Sequence, residues 1–266
     1  MTRLTGSTRT DAHAPDLIAV GHGSRDPRAA AALATLLDRV RELRPGLTVR
    51  LAHIEHSAPL LADTLATLGT GPGTGTGTGP GRAAVLVPLL FAPGHHVKHD
   101  LPAALAAAPA LRATVAAPLG PHPLLIEALA DRLAEAGWTA ADGASATTGV
   151  VLAAAGSRDP ESVRCVRRIA ARLGERLGGV PVLPGYASAA APTVPDAVRA
   201  LAARGRHRIA VASCFTAPGL FAARAAAHAP WLAAAPLGAH PALARLLLRR
   251  YDQAVTQVPR RQLAAV

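Results

Sequence analysis

The sequence predicts an α/β fold of two similar lobes, each a parallel sheet flanked by helices. Short apolar runs alternate with longer alanine- and leucine-rich segments of helical period along the 266 residues. The runs of strand length are apolar almost throughout, which is typical of parallel strands that are covered on both faces. The same order of motifs also occurs twice, which indicates an internal duplication.

The first half of the chain begins with two strand–helix pairs. DLIAVG at 16–21 is an apolar run of strand length, and a segment of helical period at 27–43 follows it with Pro27 in its first turn. LTVRLAHI at 47–54 is the second predicted strand. SAPLLADTLATL at 57–68 has helical period and is the second predicted helix.

Two further strand–helix pairs complete this half. AAVLVPLLF at 83–91 is the third strand, and a short helix is expected at 101–108. RATVAAP at 112–118 is the fourth strand, and PLLIEALADRLAEA at 123–136 is the fourth helix. Four such strands joined by helical crossovers predict a flavodoxin-like lobe.

The second half repeats the landmarks of the first. VGHGSRDP at 20–27 returns as AAGSRDP at 154–160, and PLGPHPLL at 118–125 returns as PLGAHPAL at 236–243. The chain is therefore expected to contain two flavodoxin-like lobes related by internal duplication.

The predicted boundaries follow from this repeat and from changes in composition. They are a flexible tail at 1–15, an amino-terminal lobe at 16–136, a linker at 137–149 and a carboxy-terminal lobe at 150–258. The second copy is shorter, and most of the difference is the Gly/Thr run at 69–81, which we interpret as a flexible surface insertion.

Composition argues against several classes of protein. No apolar run reaches membrane-spanning length and the start lacks the apolar block of a secretory signal, so we expect a cytoplasmic protein without a membrane partner.

The net charge of +11 favours a nucleic-acid partner, but aromatic residues, which stack on bases, are only 3% and the arginines are spread over several predicted helices. A small polyanionic substrate fits the charge as well, and we expect no nucleic-acid partner. Cys165 and Cys214 are too few for a disulfide framework and are expected to be buried thiols.

The duplication separates residues that the fold needs from residues that form a site. GSRDP and PLGxHP occur in both copies, so His122 and His240 are expected to start helices rather than to bind ligands. Other polar residues occur once. His22 corresponds to Ala155 and Glu55 to Ser188, while the cluster APGHHVKHD at 92–100 corresponds to APGLFAARA at 217–225.

The unpaired residues predict an open metal site. His22 follows the first strand, Glu55 the second and His96 the third, and the carboxyl ends of adjacent parallel strands meet in one crevice. Two imidazoles and a carboxylate suit iron, cobalt, nickel or zinc, and three ligands leave coordination positions open. His13, His53 and His56 are interpreted as solvated or capping residues.

Three motifs together resemble those of the sirohydrochlorin chelatases, the class II chelatases of siroheme and cobalamin biosynthesis. They are HGSRDP, the E-x-x-x-P that begins at Glu55, and P-x-x-F-x-x-G-x-H-V-x-x-D-L-P from Pro88 to Pro102. The resemblance covers nearly the whole chain and implies a lyase that inserts iron or cobalt, as its substrate, into a tetrapyrrole without an organic cofactor. The Gly/Thr insertion, His95 and His99 depart from the family pattern, and the two histidines have no assigned role.

The resemblance also implies site residues. His22, Glu55 and His96 would hold the metal, and the residues that would lie against the macrocycle are Leu90, Phe91, Ala92, Pro93, Gly94 and His95. Inserting the ion requires removal of two pyrrole protons, for which His22 is the expected acceptor with Glu55 assisting.

The sequence also contains groups that could bind the carboxylates of the macrocycle. Ser24, Arg25 and the amides at the start of the following helix are expected to bind those carboxylates, and Arg158 offers the same from the other lobe.

Because one chain contains both lobes, a monomer is expected. A metal-binding chaperone or storage protein of the same fold is the alternative, and the sequence does not choose among iron, cobalt and nickel or between the two pathways.

Overall fold

A computed structural model describes residues 14–70 and 83–257. The tail predicted at 1–15 and the insertion predicted at 69–81 fall largely outside these residues, and His13 lies outside them as well. Among the described residues, no helix combines the length and the apolar character that crossing a membrane requires.

The first sheet has four parallel strands in the order β2-β1-β3-β4. The strands are β1 (Asp16–Gly21), β2 (Val49–His53), β3 (Ala83–Pro88) and β4 (Arg112–Val115). The helices of this half are α1 (Pro27–Leu43), α2 (Leu61–Thr70), α3 (Leu101–Ala106), which a π-helical turn (His96–Asp100) precedes, and α4 (Pro123–Glu135).

The second sheet has the same parallel order, β6-β5-β7-β8. Its strands are β5 (Thr148–Ala154), β6 (Val182–Tyr186), β7 (Arg208–Ser213) and β8 (Leu232–Ala233). The helices are α5 (Ala140–Ala144), α6 (Pro160–Arg176), α7 (Val194–Ala202), α8 (Leu220–Ala226) and α9 (Pro241–Val255). The identical order of the two sheets confirms the predicted pair of similar α/β lobes.

Alternation along β1 explains why its four central residues are all apolar. Leu17 and Ala19 face a core between the two sheets, whereas Ile18 and Val20 face a separate core beneath α2 and α3. A third core lies on the outer side of the second sheet, beneath α7 and α8. Each sheet is therefore covered on both faces, as the sequence predicts.

The last helix of each half crosses to the other half. Helix α9 packs against α1 and β3 of the first half, and α4 packs against α6 and β7 of the second. An Arg132 guanidinium donates to the carbonyl of Leu237 at 2.7 Å, and Tyr251 donates its hydroxyl to the carbonyl of Pro15 at 2.6 Å. The two halves consequently share one central core.

The structure shortens the predicted strands β2, β3 and β4 by a few residues, and three further differences concern helices. Helix α2 begins at Leu61 instead of 57, because the residue before Pro59 is disfavoured in helical conformation. The helix expected at 101–108 is preceded by the π-helical turn, in which Leu101 N–H donates to the His96 carbonyl five residues earlier. The expected linker at 137–149 contains α5, which a capping box of Thr139 and Asp142 stabilises.

The paired motifs have the structural roles that the duplication predicts. Asp26 and Asp159 cap α1 and α6, and each accepts a hydrogen bond from a backbone N–H of the first turn. Nδ1 of His122 accepts from Leu124 N–H at 3.1 Å, and Nδ1 of His240 accepts from Ala242 N–H at 3.2 Å. These histidines begin α4 and α9, which confirms the prediction. Both cysteines are buried thiols, as expected.

Candidate metal site in the cleft between the lobes

The topology of the first sheet places the three predicted ligands at the carboxyl ends of its strands. His22 directly follows β1, Glu55 lies two residues after β2, and His96 begins the helical turn that follows β3. The chain adds β2 on one side of β1 and β3 on the other side, so the strand order switches between β1 and β3. Such a switch point opens a crevice at the carboxyl ends of the parallel strands.

Glu55 lies at the centre of a group of potential metal ligands. Its Oε1 is 3.2 Å from His22 Nε2 and 3.0 Å from His56 Nε2. One donor atom from each of these three residues lies within 4.8 Å of the others. The side chains of His22 and Glu55 are 43% and 47% exposed, so the group is open to the cleft.

His96 approaches the same group from the third strand. Its ring centroid lies 4.9 Å from that of His22, with the two ring planes at 86°. Nδ1 of His96 is 2.6 Å from Oδ2 of Asp100, four residues later on the same helical turn. A carboxylate that accepts from Nδ1 fixes the orientation of the ring and leaves Nε2 as the ligand atom.

The structure adds His56 and Asp100 to the residues expected at this site. The interpretation of His56 as a solvated or capping residue did not anticipate its contact with Glu55. Its backbone φ of 66° is one that residues other than glycine rarely adopt, so the sequence carries no signal for the direction of its side chain. His53, also expected to be solvated or capping, is instead 3% exposed at the end of β2, where the sheet covers it.

Gly23 allows the first two loops to cross closely. Its φ is 105°, and a Cβ at this position would fall on the carbonyl oxygen of Glu55. Gly156 repeats the arrangement in the second lobe, with a φ of 97° and the carbonyl oxygen of Ser188 in the same place. The crossing therefore belongs to the fold of both lobes, while the carboxylate is present in one.

The environment of His22 favours its neutral imidazole. Burial lowers its pKa below the usual 6.5, the neighbouring His96 lowers it further, and Glu55 opposes these effects. A neutral imidazole is the form that binds a metal ion or accepts a proton.

The candidate ligands line a cleft of about 1440 Å³ to which both lobes contribute. Of the segment expected to lie against a macrocycle, Leu90, Phe91, Ala92, Gly94 and His95 line it, and Pro93 does not. Across the cleft, the second lobe presents Leu220 and Phe221, which are 61% and 38% exposed, at the positions equivalent to His95 and His96. Two imidazoles of the first lobe thus have apolar counterparts in the second lobe.

The residues expected to bind carboxylates line the cleft. Arg25 and Arg158 line the cleft from opposite lobes and are exposed. Ser24 also lines it, but its hydroxyl accepts from Asp26 N–H at 3.1 Å within its own loop. Lys98, from the polar cluster, joins the lobes instead: its Nζ is 2.7 Å from Asp159 Oδ2 and 2.8 Å from Glu161 Oε2.

A sequence model of the CbiX family matches residues 16–136 and 149–254, which together are most of the chain. The chain belongs to the CbiX family. This confirms the family relationship that the three motifs indicate, and the two matched segments coincide with the two lobes of this CbiX protein. No curated protein matches the chain significantly.

Solved structures with the same two-lobed fold include three related proteins. SirB from Bacillus subtilis with Fe³⁺ is 22% identical, with a TM-score of 0.67 over 91% of this chain and 95% of its own. The sirohydrochlorin chelatase SirB from Bacillus subtilis subspecies spizizenii in complex with cobalt is 19% identical, with a TM-score of 0.68 over 92% and 97%.

The third is CbiX, described as the terminal enzyme for biosynthesis of siroheme in denitrifying bacteria. It is 22% identical, with a TM-score of 0.64 over 90% of this chain and 99% of its own. At these identities the three structures establish the fold of this CbiX protein.

Proposed function

We propose that this CbiX protein is a sirohydrochlorin chelatase, a lyase that inserts ferrous iron or cobalt into the tetrapyrrole for siroheme or cobalamin. The observation that carries the proposal is the group of His22, Glu55 and His56, with the ring of His96 beside that of His22, in a cleft large enough for a macrocycle. The metal ion is a substrate here, and the reaction requires no organic cofactor.

The ligand set suits an ion that must leave again. Two imidazoles and a carboxylate bind borderline divalent metals, and three protein ligands leave positions for water and then for ring nitrogens. The partial exposure of His22 and Glu55 supports this, since a structural ion is usually enclosed by four protein ligands. His56, which lies against Glu55, is available as an additional ligand before the transfer.

Insertion also requires a proton acceptor. The macrocycle loses two pyrrole protons as the divalent ion binds its four nitrogens, so the complex forms with release of two protons. Once the ion has passed to the ring nitrogens, the freed Nε2 of His22, whose lowered pKa keeps it neutral, accepts one proton, and the adjacent Glu55 carboxylate assists by accepting the other and passing it to water.

The lining of the cleft suits the two kinds of surface on the substrate. Leu220 and Phe221 of the second lobe offer apolar surface to the flat ring, opposite the metal ligands. Arg25 and Arg158, which line the cleft from the two lobes, bind its carboxylates. Because both walls come from one chain, we propose that the protein acts as a monomer. We also propose that it acts in the cytoplasm, without nucleic acid or membrane.

The direct test is anaerobic metallation of sirohydrochlorin, followed by the change in its absorption spectrum. Purified protein with ferrous or cobaltous ion should exceed the rate of the metal alone, and His22→Ala or His96→Ala should lower the catalysed rate by about 100-fold or more. His228→Ala, which removes an exposed histidine outside the cleft, is the matched control.

Two results would reject the proposal. One is a wild-type rate no faster than that of the metal alone, and the other is full activity in both ligand variants. Tight metal binding without any spectral change of the tetrapyrrole would instead indicate a chaperone or storage protein.

A further inference from the structure

His95 and His99 form a second pair of imidazoles that the proposed insertion chemistry does not use. They are four residues apart at the π-helical turn, so they lie on the same side of it. Their ring centroids are 4.8 Å apart, and the side chain of His95 is 73% exposed. Both residues line the cleft.

The Asp100 carboxylate lies between this pair and the candidate metal site. Its Oδ1 is 3.6 Å from Nε2 of His95, while its Oδ2 is 2.6 Å from Nδ1 of His96. The outer imidazoles, the carboxylate and His96 are therefore contiguous.

The second lobe shows that the fold does not need these side chains. The positions equivalent to His95, His99 and Asp100 hold Leu220, Arg224 and Ala225, and helix α8 forms there. Two adjacent imidazoles with a nearby carboxylate, on an exposed turn that folds without them, require a different reason to be present.

We propose that His95 and His99, with Asp100 beside them, form a second divalent-cation site at the mouth of the cleft. Two imidazole nitrogens that share one tetrahedral ion lie about 3.3 Å apart, so the two side chains, whose ring centroids are 4.8 Å apart, rotate slightly when they bind it. Water completes the coordination, so the ion is held weakly and passes to His22, Glu55 and His96. This supply role rests on the proposed function, whereas the binding site does not.

The test counts cobalt(II) ions bound by the purified protein in equilibrium dialysis. Wild-type protein should bind two ions, and the His95→Leu/His99→Arg double variant, which takes the residues of the second lobe, should bind one. The His22→Ala/His96→Ala double variant should also bind one, at the outer site. If the first double variant does not fold, His99→Arg alone replaces it, and loss of the weaker ion is again expected.

Three results would overturn the second site: one ion bound by wild-type protein, two ions retained by the His95/His99 variant, or none retained by the His22/His96 variant. The supply role has its own measurement. In His99→Arg, the cobalt concentration that gives a half-maximal insertion rate should rise about tenfold, and an unchanged value would reject that role. Failure of wild-type protein to metallate sirohydrochlorin would reject the proposed function and leave the ion count as it stands.

Discussion

The described histidines lie in different surroundings, and these decide what each imidazole can do. His22 and His96 lie in an open cleft beside carboxylates, where an imidazole can bind an ion. His122 and His240 use Nδ1 to accept the first free N–H of a helix. His53 is enclosed at the end of β2. Residue type alone therefore does not identify a ligand.

The two capping histidines should make stability depend on pH. Burial lowers the pKa of His122 and His240 below 6.5, and neighbouring arginines lower it further. The folded state thus resists protonation more than the unfolded chain does. The contribution of these caps is complete above about pH 6.5 and is lost as the pH falls toward the folded-state pKa values.

Variants of His122 test this assignment through the free energy of unfolding in urea. His122→Ala should cost about 1 kcal/mol at pH 7.5, because a backbone N–H of α4 loses its acceptor. His122→Asn keeps an acceptor that does not titrate, and it should lose less stability than wild-type protein between about pH 7.5 and 5.5. An alanine variant that is fully stable yet unable to insert metal would show that His122 belongs to the site instead.

The duplication explains how much of the site could be predicted at this scale. Comparing the halves separated His22, Glu55 and His96 from the capping histidines without any other sequence. The same comparison offers no signal for His56, since its counterpart Ala189 has a similar positive φ of 56° and the backbone conformation, not the residue type, sets the direction of the side chain.

At the scale of elements, the strands were predictable and the π-helical turn was not. Strands covered on both faces are apolar at most positions, so their sequence identifies them directly. The segment from Gly94 to Asp100 is mostly polar and begins with the glycine of a Pro-Gly pair, which is typical of a loop. It nevertheless forms a helical turn, in which Lys98 N–H donates to the Gly94 carbonyl at 3.1 Å.

The crossing of two loops in each lobe gives a matched pair of glycine variants. Gly23→Ala should destabilise the protein by about 1–3 kcal/mol and also weaken cobalt binding, because the new Cβ displaces the backbone of Glu55. Gly156→Ala should have a similar cost in stability but retain cobalt binding, because Ser188 stands where the first lobe has its carboxylate. Urea unfolding and cobalt titration measure the two effects. Equal loss of cobalt binding in both variants would contradict this account.

At the scale of the whole molecule, the crossed helices make the two lobes one folding unit. The hydrophobic periodicity of α4 and α9 predicts that one face of each helix is covered, but it does not show which sheet covers that face. The exchange of these two helices between the lobes was therefore not predictable from the sequence. Besides the shared core, Arg250 donates to the carbonyl of Leu119 at 3.3 Å across the halves.

The exchange predicts cooperative unfolding. The intact chain should unfold in a single urea transition, with the same midpoint by far-UV circular dichroism and tryptophan fluorescence. A fragment of residues 14–137 should not fold stably, because it lacks α9, which covers α1 and β3. Two separate transitions, or a fragment with native-like protection of its amides, would show that the lobes are independent.

The central claim is that one divalent ion is held at the cleft by groups from three successive strand ends. Anomalous diffraction from crystals soaked in cobalt(II) tests it most directly. The account predicts an ion about 2.0–2.2 Å from His22 Nε2, a Glu55 carboxylate oxygen and His96 Nε2, with at least one position open to the cleft. Cobalt bound only elsewhere, or at His22 without either Glu55 or His96, would contradict it.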